Sequence, residues 1–512
     1  MLWCLTLSLL WAGPGDEETS WEDASSDEAG WGDATADDAG WGDEDSDAAG
    51  FGSPDLAPVE TTPTGPFQAG GRAGMDLAFW VEDRGLSPLA MARPFVDVWF
   101  SYTKGPWRAK LGVHNEVDFA IYGQRAQWDD ATVEAYGHQV VLREAYVGAD
   151  VGRVSVTLGR QVLSLGEGRI LSSQDVIAPR DLREPATVDL DRLRLPVGML
   201  RVAGTVDGGR AWPGEHAFEL AVVPEAYWGY RSPPKGPYGS FEGLLGNKDL
   251  VADVTDLVDI DQVLTDAIVS YEHLQPMFRL DQIQAVGRWT WRGKGVDLGL
   301  MGGTVLDQRG LLVTPPLDDL VTNANTGVPT TLGIDHQRYE LLGTFGAGQA
   351  GPLLLRWEAT YGFRTPVNVG QLLRTVGLVT SLDVRAQRAD MVSVLFGMSW
   401  SGWEGATIDI DLTKGFFIDE PADLLYRPDV FSWSFRGRKP FLRDRFYIEL
   451  TSVGWGVTLD YGWLGRGTFG VIPADGLEVF VGAVSYAPGS ERGLLLGLDR
   501  HDRVFSGVRY SF

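Results

Sequence analysis

These 512 residues read as an all-β fold, a transmembrane antiparallel up-and-down β-barrel of about eighteen strands within a range of about 16–20. Segments carry one oily and one charged face, short and long connections alternate, and the last strand ends on an aromatic. From Trp107 to Tyr122 the residues Trp107, Ala109, Leu111, Val113, Val117, Phe119 and Ile121 share one face. Arg108, Lys110, His114, Glu116, Asp118 and Tyr122 share the other. A strand turns successive side chains to opposite sides, so one face meets an apolar medium and the other meets water. Gln282–Arg292 and Leu353–Arg364 repeat the pattern, setting Trp289, Trp291 and Trp357 against Arg288, Arg292, Arg356 and Glu358. A soluble sandwich also alternates, but its inward face avoids arginine and glutamate.

In chain order, Leu2 to Ala12 is an apolar run ending in Gly13, Pro14 and Gly15, which reads as a secretory signal over residues 1–13, although no basic residue precedes it. Cys4, the only cysteine, lies inside that run, so a processed chain has no disulfide. Residues 14–68 form an acidic extension that holds sixteen of the chain's carboxylates and no Lys or Arg. Like-charge repulsion and scarce aliphatics predict disorder there. Aromatics recur in it every ten residues, at Trp21, Trp31, Trp41 and Phe51. They suit a solvated spacer or a set of docking points for a periplasmic partner.

The barrel is expected over 69–512, with strands near 70–82, 94–103, 107–122, 138–150, 153–164, 199–208, 214–224, 280–292, 295–306, 335–347, 352–363, 388–402, 405–417, 443–452, 455–464, 475–487, 491–499 and 503–512. Tiny connections such as Thr103–Gly105, Val151–Gly152, Gly293–Lys294 and Val453–Gly454 alternate with long ones at 123–137, 165–198, 225–279, 307–334, 365–387 and 418–442. Tight turns at one rim and long loops at the other match the bacterial outer-membrane plan, with both termini periplasmic and the long loops extracellular. No run after the leader reaches the roughly 20 apolar residues of a spanning helix. The nineteen Trp and sixty-five Gly fit interfacial girdles and tight turns. A final strand from Arg503 to Phe512, with Tyr510 before the end, resembles the signal by which outer-membrane barrels reach their assembly machinery.

Leu142–Val206 carries L-R-E-A-Y-V, then G-R-Q at Gly159–Gln161, L-G-E at Leu165–Glu167 and D-V-I-A-P-R-D-L-R-E from Asp175 to Glu184. The stretch resembles a widespread family of Gram-negative outer-membrane barrels of unassigned substrate, similar in layout to alginate-export porins. Leu165 stands where that family tends to have Trp. The loop at 165–198 gathers Arg169, Arg180, Arg183, Arg192 and Arg194 among Asp175, Asp181, Glu184, Asp189 and Asp191. Folded into the lumen, these arginines would form a constriction that attracts carboxylates or phosphates. Paired with those carboxylates, they would anchor the loop instead. The 225–279 loop is expected to hold one short amphipathic helix, from Asp249 to Tyr271, that packs against the wall or acts as a lid.

No nucleophile elbow, zinc-protease motif or phosphate loop accompanies the six histidines, so no catalytic residue, metal ligand or cofactor is expected. The net charge of −27 argues against nucleic acid. The functional expectation is an outer-membrane channel for passive diffusion or export of small polar or anionic solutes. Its lining would be Arg108, Lys110, Glu116, Asp118, Arg288, Arg292, Arg356 and Glu358, and its surroundings outer-membrane lipid and lipopolysaccharide. The alternative is a non-conducting barrel, closed by its loops, that serves as a surface scaffold, adhesion or motility component.

Overall fold

The computed structural model describes residues 65–82, 87–185, 190–209, 212–227, 229–233, 236–239, 268–269, 277–313, 331–376, 379–425, 427–490, 495 and 497–512. The leader, nearly all of the acidic extension and nearly all of the expected 249–271 helix lie outside these residues. Ile268, expected on that helix, is extended, and Ile268–Val269 pairs with Thr331–Leu332.

Eighteen antiparallel strands close into one ring. They are β1 (Phe67–Trp80), β2 (Leu89–Lys104), β3 (Trp107–Val117), β4 (His138–Val151), β5 (Val154–Gln161), β6 (Val197–Asp207), β7 (Glu215–Val223), β8 (Gln284–Arg292) and β9 (Val296–Leu306). The ring continues through β10 (Arg338–Ala350), β11 (Leu353–Val376), β12 (Val379–Gly402), β13 (Ala406–Phe417), β14 (Ser432–Phe441), β15 (Phe446–Trp455), β16 (Gly462–Ala474), β17 (Leu477–Ala487) and β18 (Arg503–Ser511). Each strand pairs with its neighbours in sequence, and β18 returns to β1 with Arg72 opposite Ser511 and Trp80 opposite Arg503. Gly71 and Phe512 exchange backbone hydrogen bonds at 2.9 Å, which ties the last residue to the first strand. Closure leaves no unpaired strand edge, the condition hydrocarbon imposes on a sheet.

Turns of two to seven residues join the strands at the rim that holds both strand termini, and the long loops lie at the other. The expected strand count holds, but two placements offset each other. β14 lies inside the long connection expected at 418–442, where Gly437 and Pro440 look like strand breakers. Pro440 lies beyond Arg438, the last β14 residue paired with β13, so its missing N–H costs that ladder nothing. The expected strand at 491–499 is not one among the described residues. Leu495 and Leu498 turn inward and are buried with Phe480, Val484 and Phe505. Gly454, expected in a turn, is inside β15, and the expected 365–387 loop is a continuation of β11 and β12.

The expected strand to Tyr122 stops at Val117. There Asp118 caps a short helix α1 (Phe119–Gly123) by accepting from Ala120 N, and α2 (Asp130–Tyr136) follows, capped by Asp129. An Asp cap satisfies helix N–H groups that a strand would not offer, so the polar face of the pattern ended the strand.

Outward residues such as Leu111, Val147, Leu158, Phe218, Leu300, Leu342, Phe396, Leu450, Val481 and Val508 are exposed around the whole ring. Inward positions carry Arg93, Glu116, Arg356, Glu358, Asp411, Arg436, Glu449, Arg503 and Arg509, all buried. A globule with charges inside and an oily exterior is stable only where the exterior touches lipid.

Two apolar clusters occupy the interior. Leu163, Leu165, Ile177 and Leu195 pack on Met199, Val223, Val286, Met301, Leu341 and Phe345 of β6 to β10. Ile170, Leu171 and Leu193 pack against the cluster of Ala78, Met91, Phe480, Val484, Tyr486 and Phe505 from β1, β2, β17 and β18. These walls face each other in an eighteen-membered ring. The 162–196 loop therefore spans the bore.

Candidate functional site

The loop reaches the β11 and β13 wall through a tight turn from Gly166 to Ser173. A Cβ at Gly166 would strike Ser172 Oγ, and one at Gly168 would strike the Leu171 carbonyl, so this path needs both glycines. The turn aims its N–H groups at two wall carboxylates. Glu358 accepts from Glu167 N at 2.6 Å, Gly168 N at 2.9 Å, Ser173 N and Oγ at 2.8 Å, and Ser172 Oγ at 3.1 Å. Asp411 accepts from Ile170 N at 2.9 Å and Leu171 N at 3.3 Å, with Arg356 behind it at 3.3 Å. Glu358 is 1% exposed and Asp411 0%. Converging backbone N–H groups form an anion nest, filled here by the barrel's own side chains.

A second anchor lies toward β2, β3 and β18. Glu184 sits between Arg93, which donates to it, and Arg503 at 3.3 Å. Burial opposes its charge, yet Arg93, Arg503 and Arg183 together hold its carboxyl at about 2. Arg93 also donates to Asp118 at 2.9 Å, and Arg183 binds Asp181 and lies 3.6 Å from Glu116. Tyr136 of α2 donates to the Arg183 carbonyl at 2.8 Å, and Tyr486 of β17 donates to the Pro185 carbonyl. Between the groups lies an internal cavity of about 50 Å³ bordered by Arg93, His114, Glu116, Glu184 and Arg192. Such a polar space has room for about one or two waters.

The residues expected to line the bore all reach partners. Arg108 donates to Ser155 and Thr157 at 2.6 and 2.9 Å, and Lys110 pairs with Glu144 at 2.8 Å. Arg288 holds Glu167 of the loop and stacks 4.1 Å from the Phe345 ring centre. Arg292 pairs with Glu215 at 3.1 Å at the short-turn rim, away from the loop. Among the loop arginines, Arg180 and Arg194 share Asp175 at 3.2 and 2.7 Å, and Arg192 pairs with Asp97 at 2.9 Å over the Phe95 ring. Arg169 lies within electrostatic reach of Arg356. The carboxylate contacts make Arg180, Arg183, Arg192 and Arg194 anchors as well as charges, whereas Arg169 and Arg356 repel each other.

Sequence reading missed Arg93, Asp411, Arg503 and the layer on β14 to β18. Arg438, Arg466 and Arg509 lie over Tyr447, Phe505 and Phe480, while Arg436 pairs with Glu449 at 3.1 Å. Strand parity alone marks all of these as inward, once the strand bounds are right.

A closed ring with an oily exterior, an ionic interior and a loop drawn through it defines a porin-like outer-membrane β-barrel. Residues 80–210, from the end of β1 past β6, match the family described as "Protein of unknown function (DUF1302)", a match that encloses the whole lumenal loop. No curated protein matches in sequence. Among solved structures, Salmonella typhi OmpF in complex with daunomycin is similar at 9% identity with a TM-score of 0.39, covering 87% of this chain and 97% of that one. Mutants of the Rh. blastica porin are similar at 10% and 12% identity with TM-scores of 0.36, covering 87% of this chain and 100% of theirs.

Proposed function

We propose that the protein is an outer-membrane channel of narrow bore for small polar or anionic solutes, entered from the long-loop side, with the short-turn rim in the periplasm. The carrying observation is the 162–196 loop, which crosses a ring of inward ionic residues and is fixed to both walls. An eighteen-stranded ring encloses a bore wide enough for an aqueous path, and a loop across it sets the size limit. Two arginines on one carboxylate bias the local field toward anions, as where Arg180 and Arg194 share Asp175.

Reversal potentials across a planar bilayer under a salt gradient test this reading. An anion-selective potential that shifts toward cations in the doubly neutralised Arg180→Gln, Arg194→Gln protein supports it, and an unchanged potential counts against it. The density of loop anchors favours a second reading, a barrel closed by its loop that serves as a scaffold. Folded protein that stays silent in the bilayer identifies that case.

A further inference from the structure

We propose that the outer wall at the long-loop ends of β10, β11 and β12 carries a binding site for the phosphate groups of an outer-leaflet glycolipid, formed by Arg338, Arg364 and Arg388. The site rests on the reading that the long-loop rim faces outward. Strand parity puts Arg338 on the lipid side, because Tyr339 and Leu341 point into the lumenal cluster. It puts Arg388 there too, because Ala389 packs inward with Val367 and Val369.

Arg364 reaches the same face by a different device. The β11–β12 register shifts between Gly362 and Thr365, and Arg364 in that bulge has a φ of 50°. A non-glycine residue with positive φ is uncommon, and bulges re-aim side chains. Asp390 fixes the bulge by accepting from Arg364 N at 2.7 Å and from the Tyr361 hydroxyl at 2.8 Å.

Two of the guanidiniums, those of Arg338 and Arg388, bond backbone carbonyls, and Arg364 supplies one of those carbonyls. Arg388 donates to the carbonyls of Arg338 and Arg364 at 2.8 and 3.3 Å, and Arg338 donates to the Asp281 carbonyl at 2.9 Å. Many lumenal arginines bond carboxylates, whereas the hydrogen bonds of Arg338 and Arg388 go to backbone carbonyls, with Asp281 and Asp390 within electrostatic reach of Arg338 and Arg364. Glu340 and Asp281 are exposed acids beside them, Asp281 paired with Arg279 at 2.9 Å, and Asp390 is engaged as described. Just below on the same face stand Leu342, Phe363 and Tyr361, the last two in edge contact at 4.4 Å. Positive charge above an aromatic and aliphatic band matches a lipid whose phosphates sit above its acyl chains. Arginine forks bind phosphate bidentately. In a chain of net charge −27, such a patch stands out against a membrane surface that would otherwise repel it.

The test is native mass spectrometry of the full-length protein in detergent. It is loaded with a diphosphorylated lipid A-type glycolipid, the same glycolipid stripped of phosphate, phosphatidylglycerol, or inorganic phosphate. The wild type is expected to retain the diphosphorylated glycolipid in preference to the other three. The triple variant Arg338→Gln, Arg364→Gln, Arg388→Gln is expected to lose affinity on the order of 100-fold, given the contribution of each basic group near an anionic surface. Heat-modifiable electrophoretic migration shows that the variant still folds. Equal retention of the stripped glycolipid, equal binding by the variant, or equal binding of phosphatidylglycerol or inorganic phosphate overturns the proposal. Protease cleavage of the 379–388 segment on intact cells reads the orientation separately, and conductance does not enter the assay.

Discussion

Replacing Glu358 with Gln should loosen the lumenal loop without unfolding the barrel. The carboxylate is 1% exposed and accepts from three backbone N–H groups and two hydroxyls of the 167–173 turn. An amide keeps one acceptor oxygen and presents an NH2 group to donors that cannot turn away. Hydrogen bonds to a charged group contribute about 1.5–3 kcal/mol each, and those within one cluster do not add. Losing two of them should cost local stability of about 3 kcal/mol. That corresponds to about a 100-fold loss of amide hydrogen-exchange protection at residues 167–173. Protection of the β17–β18 ladder, held by its own backbone pairing, should stay unchanged. Wild-type protection at 167–173 in the variant would refute the claim that Glu358 holds the loop, and loss of protection throughout would show that the barrel depends on it.

Glu184→Gln should remove an acid-sensitive part of the stability, because a carboxyl held at about 2 against an ordinary value of 4.5 stabilises fully above about 4.5 and ceases to as pH falls through 2. Wild-type heat-modifiable migration should weaken below about pH 4.5 by up to about 3 kcal/mol, and the variant should lose that dependence. His336 runs through a different window: burial, with Arg231 nearby, lowers it to about 4 although it binds the Asp307 carbonyl at 2.7 Å. The unfolded segment takes up a proton below about 6.5 and the folded one only below 4, so exchange protection at 306–311 should fall between those values and level off in His336→Gln. Gly168→Ala should force the turn off the Leu171 carbonyl, and trypsin should then cut the loop arginines in the folded barrel, which it spares in the wild type.

The ring was legible because lipid and water sort side chains at every second residue. Parity survived even where strand ends were misjudged, as at β1 and β6. β14 is not legible in sequence, because a proline looks the same whether or not a neighbour needs its N–H. The 491–499 segment reads as a strand in sequence, whereas its Leu495 and Leu498 face a lumenal core that exists only once the loop is in place. The candidate site was legible by residue type but not by partnership. Arg183 and Glu184 stood out as loop charges, whereas their partners Glu116, Arg93 and Arg503 come from β3, β2 and β18. Such pairing follows from closure of the ring, which no local pattern encodes.

The account depends on a loop that lies across the bore of a closed barrel. Single-channel conductance of the wild type should be compared with that of a protein in which residues 165–194 are replaced by a short Gly-Ser linker. A small or absent wild-type step that becomes several-fold larger after the replacement is the expected result, since the bore is widest once the loop is gone. Equal conductance from the two folded proteins would contradict it.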